Sequence, residues 1–561
     1  MVAEERPLDP VTLEILHGKL LATVDEMGLV LARTSMSPVI YEVLDFACGI
    51  CSPDGDLIAQ ANGLTLFTGT FAAQVRFIIE KHGDRMRDGD AFITNDPYHG
   101  GTHCCDMAVV KPLFHEGERI GFAITVAHWL DVGGAVAGSL PADATEVFQE
   151  GLRLPGIQLC RDGELLPDIR DLIAANSRLP QMALGDLNAE LAAVNIAAAR
   201  IGEFCDRYGA DGLAIAFREI LAGGEQEARR ALATLPDGVY TARDVIDGDG
   251  RSPDPVPVCV AVTILGDRLT VDFTGSSPSR PGPINCTAGA LQSAVKSVFK
   301  ALVGPHAPSN EGWFRPVEIT VPPGTVFSAE SPTPVGWYYE GTAQASELVW
   351  KALAPVAPNR FSAGSYMSLC ATYICGSDRN GETFVHIEPQ HGGWGATPER
   401  DGASGLIAIT DGDTCNLSAE LLEAKYPLRL VRYGLNVEDG VGAGRHRGGY
   451  GLVREYEVLA DNAFTYASLG RSVEAPWGID GGTSGSRNYI EITTGGTTRR
   501  VARIPHQGLQ RGDRVKIVTG GGGGWGDPAD RDPDQVTADM ADGLLSPTAA
   551  VRDYGATGVI Q

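Results

Sequence analysis

Apolar residues recur at three- and four-residue steps in several long stretches of the chain, which is the spacing of an amphipathic helix. The clearest stretch is 10–34, which follows the capping residue Asp9 and carries an apolar stripe formed by Leu13, Leu16, Leu20, Val24, Met27 and Leu31. Similar spacing predicts a helix at 70–84. A segment rich in Ala, Leu and Glu predicts helix over 186–234 with a stop at Gly209, and a buried helix is predicted at 288–303.

Continuous or alternating apolar runs predict strands elsewhere. Residues 46–59 predict a hairpin that turns at Pro53-Asp54-Gly55, and a short strand is expected at 91–94. The runs MAVVKPLF and GFAITVAH, joined at 115–117, predict a second hairpin. Alternation continues over 238–275, and short strands separated by glycine turns follow from about 426 to 527, before a helical tail from 534.

These elements predict an α/β (mixed α+β), multidomain protein with a mostly β C-terminal domain. Shifts in composition divide the chain into an N-terminal α/β domain at 1–235, a central α/β domain at 236–425 and a β-rich C-terminal domain with a helical tail at 426–561. No run of eighteen or more apolar residues predicts a membrane-spanning helix.

Charge excludes some classes of partner. The chain has 561 residues, 45 of them basic and 71 acidic, so its net charge of −26 disfavours nucleic acids and anionic membrane surfaces. The acidic N-terminus has no apolar segment typical of a signal peptide. Eleven scattered cysteines, including the lone pair Cys48 and Cys51, are interpreted as reduced, buried thiols, and we expect a cytoplasmic protein.

Histidines cluster in one segment. Four of the eleven, His99, His103, His115 and His128, lie within thirty residues and are interleaved with Asp96, Asp106 and Asp131. Imidazoles and carboxylates together are the ligands of catalytic divalent metals, and two histidines with one carboxylate leave open positions for water or substrate.

We expect His103, Asp106 and His128 to hold such a metal. His103 and Asp106 are three residues apart and would face the same side only in a turn or helix. His128 ends an apolar run and should lie at the end of a buried strand. Asp131 is the expected partner of a ligand imidazole, or a fourth ligand. His99 and His115 are assigned to loop or turn positions.

Motifs along most of the chain resemble the hydantoinase B/oxoprolinase family, which includes the large subunits of acetone and acetophenone carboxylases. The resemblance rests first on NDPYHGGTHCCDM and AHWLDVGG. Further matching segments are EVFQEGLRLP at 146–155, GPINC at 282–286, HGGWGA at 391–396, AKYPLRL at 424–430, RHRGGYG at 445–451, PWGIDGG at 476–482 and GGGGGWGDP at 520–528.

The resemblance implies a divalent metal ion (Mn, Zn or Fe) at His103, Asp106 and His128, the set also chosen from the residues alone. It further implies a separate hydantoinase A-type subunit that binds ATP and phosphorylates the substrate, in a heterotetramer or a larger assembly. The activated intermediate would then pass to this chain for hydrolysis or carboxylation.

Three functions remain open at this point. The first is the B-type component of an ATP-dependent cyclic amide hydrolase of the hydantoinase, oxoprolinase or lactamase type. The second is a component of an ATP-dependent ketone carboxylase, and the third is a non-catalytic scaffold for the ATP-binding partner. The sequence has no G-x-x-x-x-G-K-[ST] loop, and the glycine run 520–524 is interpreted as a flexible edge or interface loop.

Four other acids and bases are candidates for roles beside the metal. Glu388 and His391 precede a glycine-rich loop, and either could be a general base if that loop faces the metal. The alternative is a strand end followed by a tight turn. Glu150 and Asp96 complete the set expected around the metal, although the sequence favours a structural role for Glu150.

Overall fold

A seven-stranded antiparallel sheet dominates the first part of the protein. The computed structural model describes residues 8–61, 63–412 and 414–556. The strands of this sheet are β1 (Phe46–Cys51), β2 (Leu57–Gln60), β3 (Ala91–Thr94), β4 (Asp106–His115), β5 (Glu118–His128), β6 (Ile157–Arg161) and β7 (Glu164–Leu165), in the order β2-β1-β5-β4-β3-β6-β7. The predicted β4–β5 hairpin turns at Glu116 and Gly117, both at positive φ, as a tight two-residue turn requires.

Helices cover both faces of this sheet. They are α1 (Pro10–Thr34), α2 (Pro38–Tyr41), α3 (Thr65–Thr68), α4 (Phe71–His82), α5 (Pro167–Ala175), α6 (Pro180–Tyr208) and α7 (Ala210–Leu232). The apolar stripe of α1 joins the core that includes Met107 and Val109, whereas Phe71 of α4 packs with Ala108 and Val110 on the opposite face. Burial on both faces explains why the strand sequences are continuously apolar.

A four-stranded sheet and two helices follow. The strands are β8 (Gly238–Ile246), β9 (Val256–Leu265), β10 (Arg268–Asp272) and β11 (Val317–Thr320), in the order β11-β10-β9-β8. Helices α8 (Ala288–Val303) and α9 (Tyr338–Leu353) pack against each other, and α9 also packs on β8 and β9. Helix α8 was predicted, whereas α9 was not.

The last part of the chain is rich in strands, as predicted. Its elements are β12 (Thr372–Ser377), β13 (Thr383–Glu388), α10 (Ala419–Lys425), β14 (Leu428–Leu435), β15 (Leu452–Val458), β16 (Asn462–Ser468), β17 (Tyr489–Thr494), β18 (Thr497–Val501), β19 (Arg503–Leu509), β20 (Arg514–Val518), α11 (Pro533–Ala541) and α12 (Pro547–Tyr554). The sheets have the orders β13-β12-β16-β19 and β14-β15-β20-β17-β18. Because β12 precedes residue 425 and pairs with β16 beyond it, a boundary at 425 would divide one sheet.

The glycine run 520–524 is buried, so the expected flexible loop is wrong. Its backbone packs directly on other backbone: the N–H of Gly522 donates to the carbonyl of Gly449 at 2.9 Å, and the carbonyl of Gly520 accepts from Gly393 at 3.0 Å. A Cβ atom on Gly522 would lie 2.1 Å from the carbonyl oxygen of Trp394. Glycine is therefore required there by close approach rather than by mobility.

Two sequence-based expectations about the whole chain can be compared with the structure. All eleven cysteines are free thiols, and most are buried. Within the described ranges, no helix has both the length and the apolar character needed to cross a membrane. The three-part division of the chain stays a prediction.

Candidate metal centre

Two of the three predicted metal ligands face each other at the ends of two inner strands of the seven-stranded sheet. Asp106 is the first residue of β4, His128 is the last residue of β5, and the two are register partners. His103 lies in the turn before β4, where its carbonyl oxygen accepts the backbone N–H of Asp106 at 3.1 Å. The expected turn at His103 and strand end at His128 are both present, and the side chains converge.

Three donor atoms from these residues form a compact triangle. Nε2 of His103 lies 2.9 Å from Oδ1 of Asp106 and 3.2 Å from Nδ1 of His128, which is 3.1 Å from the same Oδ1. The three residues are 2%, 3% and 4% exposed in chain order. Lone pairs this close repel one another unless a proton or a cation lies between them, and burial excludes the water that would screen them.

Contacts from outside the triangle fix the direction of two donors. Nδ1 of His103 lies 2.8 Å from the carbonyl oxygen of Gly336, so Nδ1 carries the proton and Nε2 presents its lone pair to the triangle. The other oxygen of Asp106, Oδ2, accepts hydrogen bonds from the hydroxyls of Thr102 and Tyr338, the latter at 3.1 Å. Oδ1 is thereby left facing the two imidazoles.

The three groups also shift one another's pKa. Burial would raise the pKa of Asp106, but the two imidazoles hold it well below its usual range. Burial likewise acts to lower the pKa of His103, and the carboxylate of Asp106 outweighs this and raises it. For His128, burial prevails and lowers the pKa. Asp106 is therefore anionic, and His128 favours the neutral form that can donate a lone pair.

Two carboxyl groups beside the triangle were not predicted. Asp45 directly precedes β1, and its carbonyl oxygen accepts the backbone N–H of His128 at 3.1 Å. Its Oδ1 atom is buried and has no hydrogen-bond partner within the described residues. Burial and the carboxylates of Asp411 and Asp106 raise the pKa of Asp45, and burial raises the pKa of Asp411 to about 7. This concentration of acids favours a cation nearby.

One signal in the sequence could have found Asp45. It is an acid placed immediately before an apolar strand, and that strand pairs with the strand that ends at His128. Asp411 comes from a distant loop, and Tyr338 from a helix that was not predicted, so neither had a local signal.

Comparison with known proteins decides the family. The sequence profile of the hydantoinase B/oxoprolinase family matches residues 9–528. This chain belongs to the hydantoinase B/oxoprolinase family. A protein of Pseudomonas sp. (strain NS671), described as the B component of a D-/L-hydantoinase, is 33% identical over 98% of this chain and 96% of the relative. The beta component of the caprolactamase of Pseudomonas jessenii is 30% identical over the same shares.

Solved structures agree with this assignment. The crystal structure of the ATP-dependent caprolactamase from Pseudomonas jessenii matches with a TM-score of 0.91 at 28% identity, covering 98% of this chain and 96% of that one. A nucleotide-free acetone carboxylase structure matches with a TM-score of 0.90 at 20% identity, covering 98% of this chain and 80% of that one. The second likeness shows a shared fold.

Glu150 of this hydantoinase B/oxoprolinase chain lies close to the triangle without touching it. Its buried carboxylate accepts the backbone N–H groups of Gly336 at 2.7 Å and Val335 at 3.2 Å. Burial raises its pKa to about 7. Hydrogen bonds thus connect Glu150 to His103 through the backbone of Gly336, and the charge of Glu150 also acts on the imidazole.

Asp131 holds a loop instead of an imidazole, which corrects the role expected for it. Its carboxylate accepts the backbone N–H groups of Gly133, Gly138 and Arg178 at 3.2, 3.1 and 2.8 Å. It also pairs with the guanidinium of Arg178 at 3.0 Å. Both oxygens of Asp131 are bonded in this way, and the hydrogen-bond partner of the His103 imidazole is instead the carbonyl of Gly336.

Asp96 has a local role as well. It accepts the backbone N–H of Tyr98 at 3.1 Å at the start of a short turn. Its other oxygen lies 3.2 Å from Nδ1 of His99 and 3.6 Å from Nε of Arg153. His99 is half exposed beside this acid, and His115 ends β4 at the hairpin turn, so both lie outside the triangle as expected.

Glu388 forms a buried ion pair in the C-terminal part of the chain. Its Oε2 lies 3.1 Å from Arg454 and accepts the hydroxyl of Tyr456 at 2.7 Å, while Oε1 accepts the backbone N–H of Leu417. A carboxylate committed to these partners is not free to take a proton from water. The expected general base is therefore corrected to a structural ion pair.

His391 has both ring nitrogens occupied. Nδ1 lies 2.8 Å from the side-chain oxygen of Asn416, and Nε2 lies 3.2 Å from the carbonyl oxygen of Thr414. Thr414 in turn donates its hydroxyl to Asp411 at 2.7 Å. His391 supports the loop that carries Asp411 and does not face the triangle.

Proposed function

We propose that this chain is the metal-binding B-type subunit of an ATP-dependent cyclic amide hydrolase. The observation that carries the proposal is the buried triangle of two imidazole nitrogens and one carboxylate oxygen, with sides of 2.9, 3.1 and 3.2 Å. Family membership adds the reaction class, because the similar proteins named above are components of a hydantoinase and of a caprolactamase.

The residues present fit a divalent metal. Neighbouring ligands about 2.1 Å from an octahedral cation are about 3.0 Å apart, which is close to all three sides of the triangle. His103, Asp106 and His128 would hold the ion, and Asp45 places another carboxyl group beside them. A metal bound there would act as a Lewis acid on a carbonyl and lower the pKa of a bound water. Mn, Zn and Fe all accept this donor set.

The surrounding residues keep the donor atoms ready for this task. The carbonyl of Gly336 keeps the lone pair of His103 Nε2 directed inward, and Tyr338 with Thr102 keeps Oδ1 of Asp106 directed inward. Burial to a few per cent exposure excludes bulk water, which strengthens every electrostatic interaction inside. A cyclic amide bound there would meet fixed donors rather than flexible loops.

ATP would be supplied through a partner. The sequence contains no nucleotide-binding loop of the P-loop type, and the two relatives are named as the B and beta components of their enzymes. The proposed assembly pairs this chain with a hydantoinase A-type ATP-binding subunit in a heterotetramer or larger complex. The free cysteines support a cytoplasmic location.

Ketone carboxylation is the second candidate. It is favoured by the shared fold with acetone carboxylase, at a TM-score of 0.90. Incorporation of labelled bicarbonate into acetone or acetophenone, in the presence of ATP and the partner subunit, separates it from ring opening.

The main test uses the purified complex with the ATP-binding subunit. Hydantoins, 5-oxoproline and caprolactam would be screened for ATP-dependent ring opening, and metal content would be measured by mass spectrometry. His103→Ala and Asp106→Ala should lose both metal and ring opening, whereas His99→Ala, at a half-exposed histidine outside the triangle, should keep both. Full activity in the first two variants would overturn the proposal and favour a non-catalytic scaffold.

A further inference from the structure

The carbonyl group that orients His103 belongs to a segment that is itself held by a buried acid. Glu150 accepts the backbone N–H of Gly336 through Oε1 at 2.7 Å and that of Val335 through Oε2 at 3.2 Å. On the other side of Gly336, the N–H of Trp337 donates to the carbonyl of Pro283 at 2.9 Å. The carbonyl of Gly336 is therefore fixed from both sides, and it accepts from Nδ1 of His103 at 2.8 Å.

Close packing leaves this segment little freedom. A Cβ atom on Gly336 would lie 3.0 Å from Oε1 of Glu150 and 3.1 Å from a methyl group of Leu140. The indole N–H of Trp337 donates to the carbonyl of Leu140 at 3.1 Å. Glycine at 336 thus lets the carboxylate approach the backbone, and the indole ties the same segment to a second loop.

The same segment also reaches the second donor. Helix α9 begins at Tyr338, two residues after Gly336, and the hydroxyl of Tyr338 donates to Oδ2 of Asp106 at 3.1 Å. One short stretch of backbone therefore carries a contact to His103 and a contact to Asp106. A contact that fixes the backbone of 335–338 therefore also affects the orientation of His103 and Asp106.

We propose that Glu150 is a positioning residue of the metal centre, which acts on His103 and Asp106 through the backbone of 335–338. This rests on the proposed function, because the donors it positions are those assigned to the metal. Glu150 is fully buried, and its carboxylate is the group in this contact chain that accepts two adjacent backbone N–H groups. The ion needs no direct bond from Glu150, since orienting groups of this kind alter metal affinity by about 10–100-fold.

The test measures metal affinity, a readout that does not depend on activity. Purified protein, stripped of metal, would be titrated with Zn²⁺ and separately with Mn²⁺ against a competing fluorescent chelator. Glu150→Gln keeps the size of the side chain but replaces one acceptor by a donor facing an N–H group. We expect its affinity to fall by about 10–100-fold.

Asp131→Asn is the matched control. Asp131 is also a buried carboxylate that accepts several backbone N–H groups near the triangle, but its contacts lie in the loop 133–138 and at Arg178. It should keep affinity within about threefold of the parent while losing thermal stability. Equal loss of affinity in both variants would reduce Glu150 to general structural support, and unchanged affinity in Glu150→Gln would overturn the proposal.

Two more variants make the result decisive. Gly336→Ala places a methyl group against the Glu150 carboxylate and should weaken metal binding in the same direction, so it replaces Glu150→Gln if that variant does not fold. His103→Ala in the same titration separates a failure of the proposed function from a failure of the positioning role. If His103→Ala binds metal normally, the proposed function fails; if only Glu150→Gln and Gly336→Ala bind normally, the positioning role alone fails.

Discussion

Asp106 and His128 are directly paired across neighbouring antiparallel strands, the first residue of β4 against the last residue of β5. The hairpin turn lies at the far end of these strands, so hydrogen bonds along their whole length set the spacing of the two side chains. A slip of one residue would turn one of them to the opposite face of the sheet. The sheet, and not a loop, therefore determines the separation of this acid and this imidazole.

Tyr338→Phe should weaken metal binding while leaving the fold intact. The change removes the hydroxyl that donates to Oδ2 of Asp106, although Thr102 still donates to the same oxygen. We expect affinity to fall about tenfold, the lower end of the range for groups that orient a ligand. Competition with a chelator measures the metal affinity. Tyr366→Phe serves as the control, because the hydroxyl that it removes donates to the carbonyl of Gln390. Equal affinities in the two variants would contradict this.

Glu388→Gln should destabilise the protein without removing metal. It leaves the buried guanidinium of Arg454 without a charged partner, at a cost of about 3–5 kcal/mol in the free energy of unfolding. The double variant Glu388→Leu with Arg454→Met should be less destabilised than the single one, because no unpaired charge remains. Denaturant unfolding would measure the stability of the single and double variants, and metal analysis would measure their metal content. Loss of metal in Glu388→Gln would instead indicate a role for this acid at the metal centre.

Two stacked tyrosines should respond differently to the loss of a hydroxyl. The rings of Tyr373 and Tyr466 lie 4.5 Å apart, and the hydroxyl of Tyr466 donates to the carbonyl of Ala137 at 2.7 Å. The hydroxyl of Tyr373 is buried with no partner in the described part of the chain. Tyr466→Phe should lower the free energy of unfolding by about 1–2 kcal/mol, whereas Tyr373→Phe should leave it unchanged or raise it. The reverse order in denaturant titrations would refute this.

Gly522→Ala should abolish soluble folded protein. The added methyl group would lie 2.1 Å from the carbonyl oxygen of Trp394, and neighbouring backbone leaves no room for adjustment. Gly508→Ala is the control, because a Cβ there meets nothing within 4 Å. Soluble yield and circular dichroism compare the two. Normal folding of Gly522→Ala would show that the packing in this region can relax.

Glu340 should make stability depend on pH. Burial raises the pKa of its carboxyl to about 7, above the ordinary 4.5, so the folded state binds a proton more tightly than the unfolded state. Its contribution is most favourable below about pH 4.5 and is lost as the pH rises to 7, by up to about 3 kcal/mol. Glu340→Gln should remove this dependence. The stability difference between parent and variant would be compared at pH 5 and pH 8, and an identical difference at both would contradict the expectation.

Local patterns predicted most of the elements around the centre. The stripe of α1, the β4–β5 hairpin and the strand that ends at His128 follow from periodicity within a few residues of each position. Helix α9 was missed because residues 338–349 are buried all round, which removes the polar face on which helix prediction relies. Its Tyr338 was missed with it.

The errors about side-chain roles have a different origin. Glu388 and Asp131 both stand next to strand ends in suggestive motifs, but their partners Arg454 and Arg178 lie 66 and 47 residues away in the chain. The packing of the glycine run on Gly449 and Trp394 is likewise set by distant segments. Spacing along the sequence cannot reveal which of several distant groups will form a hydrogen bond or ion pair with a given carboxylate. It did reveal three donor residues, because two adjacent strands and one turn bring them together.

The carbonyl that orients His103 comes from a residue 233 positions later in the chain, and the hydroxyl that orients Asp106 from one 232 positions later. During synthesis on the ribosome, the hairpin with Asp106 and His128, and the turn before it with His103, therefore emerge long before the groups that hold these side chains in place. An N-terminal fragment ending before that point would have the donors without their supports. We therefore expect the proposed metal site to become complete only after the chain has been translated beyond residue 338.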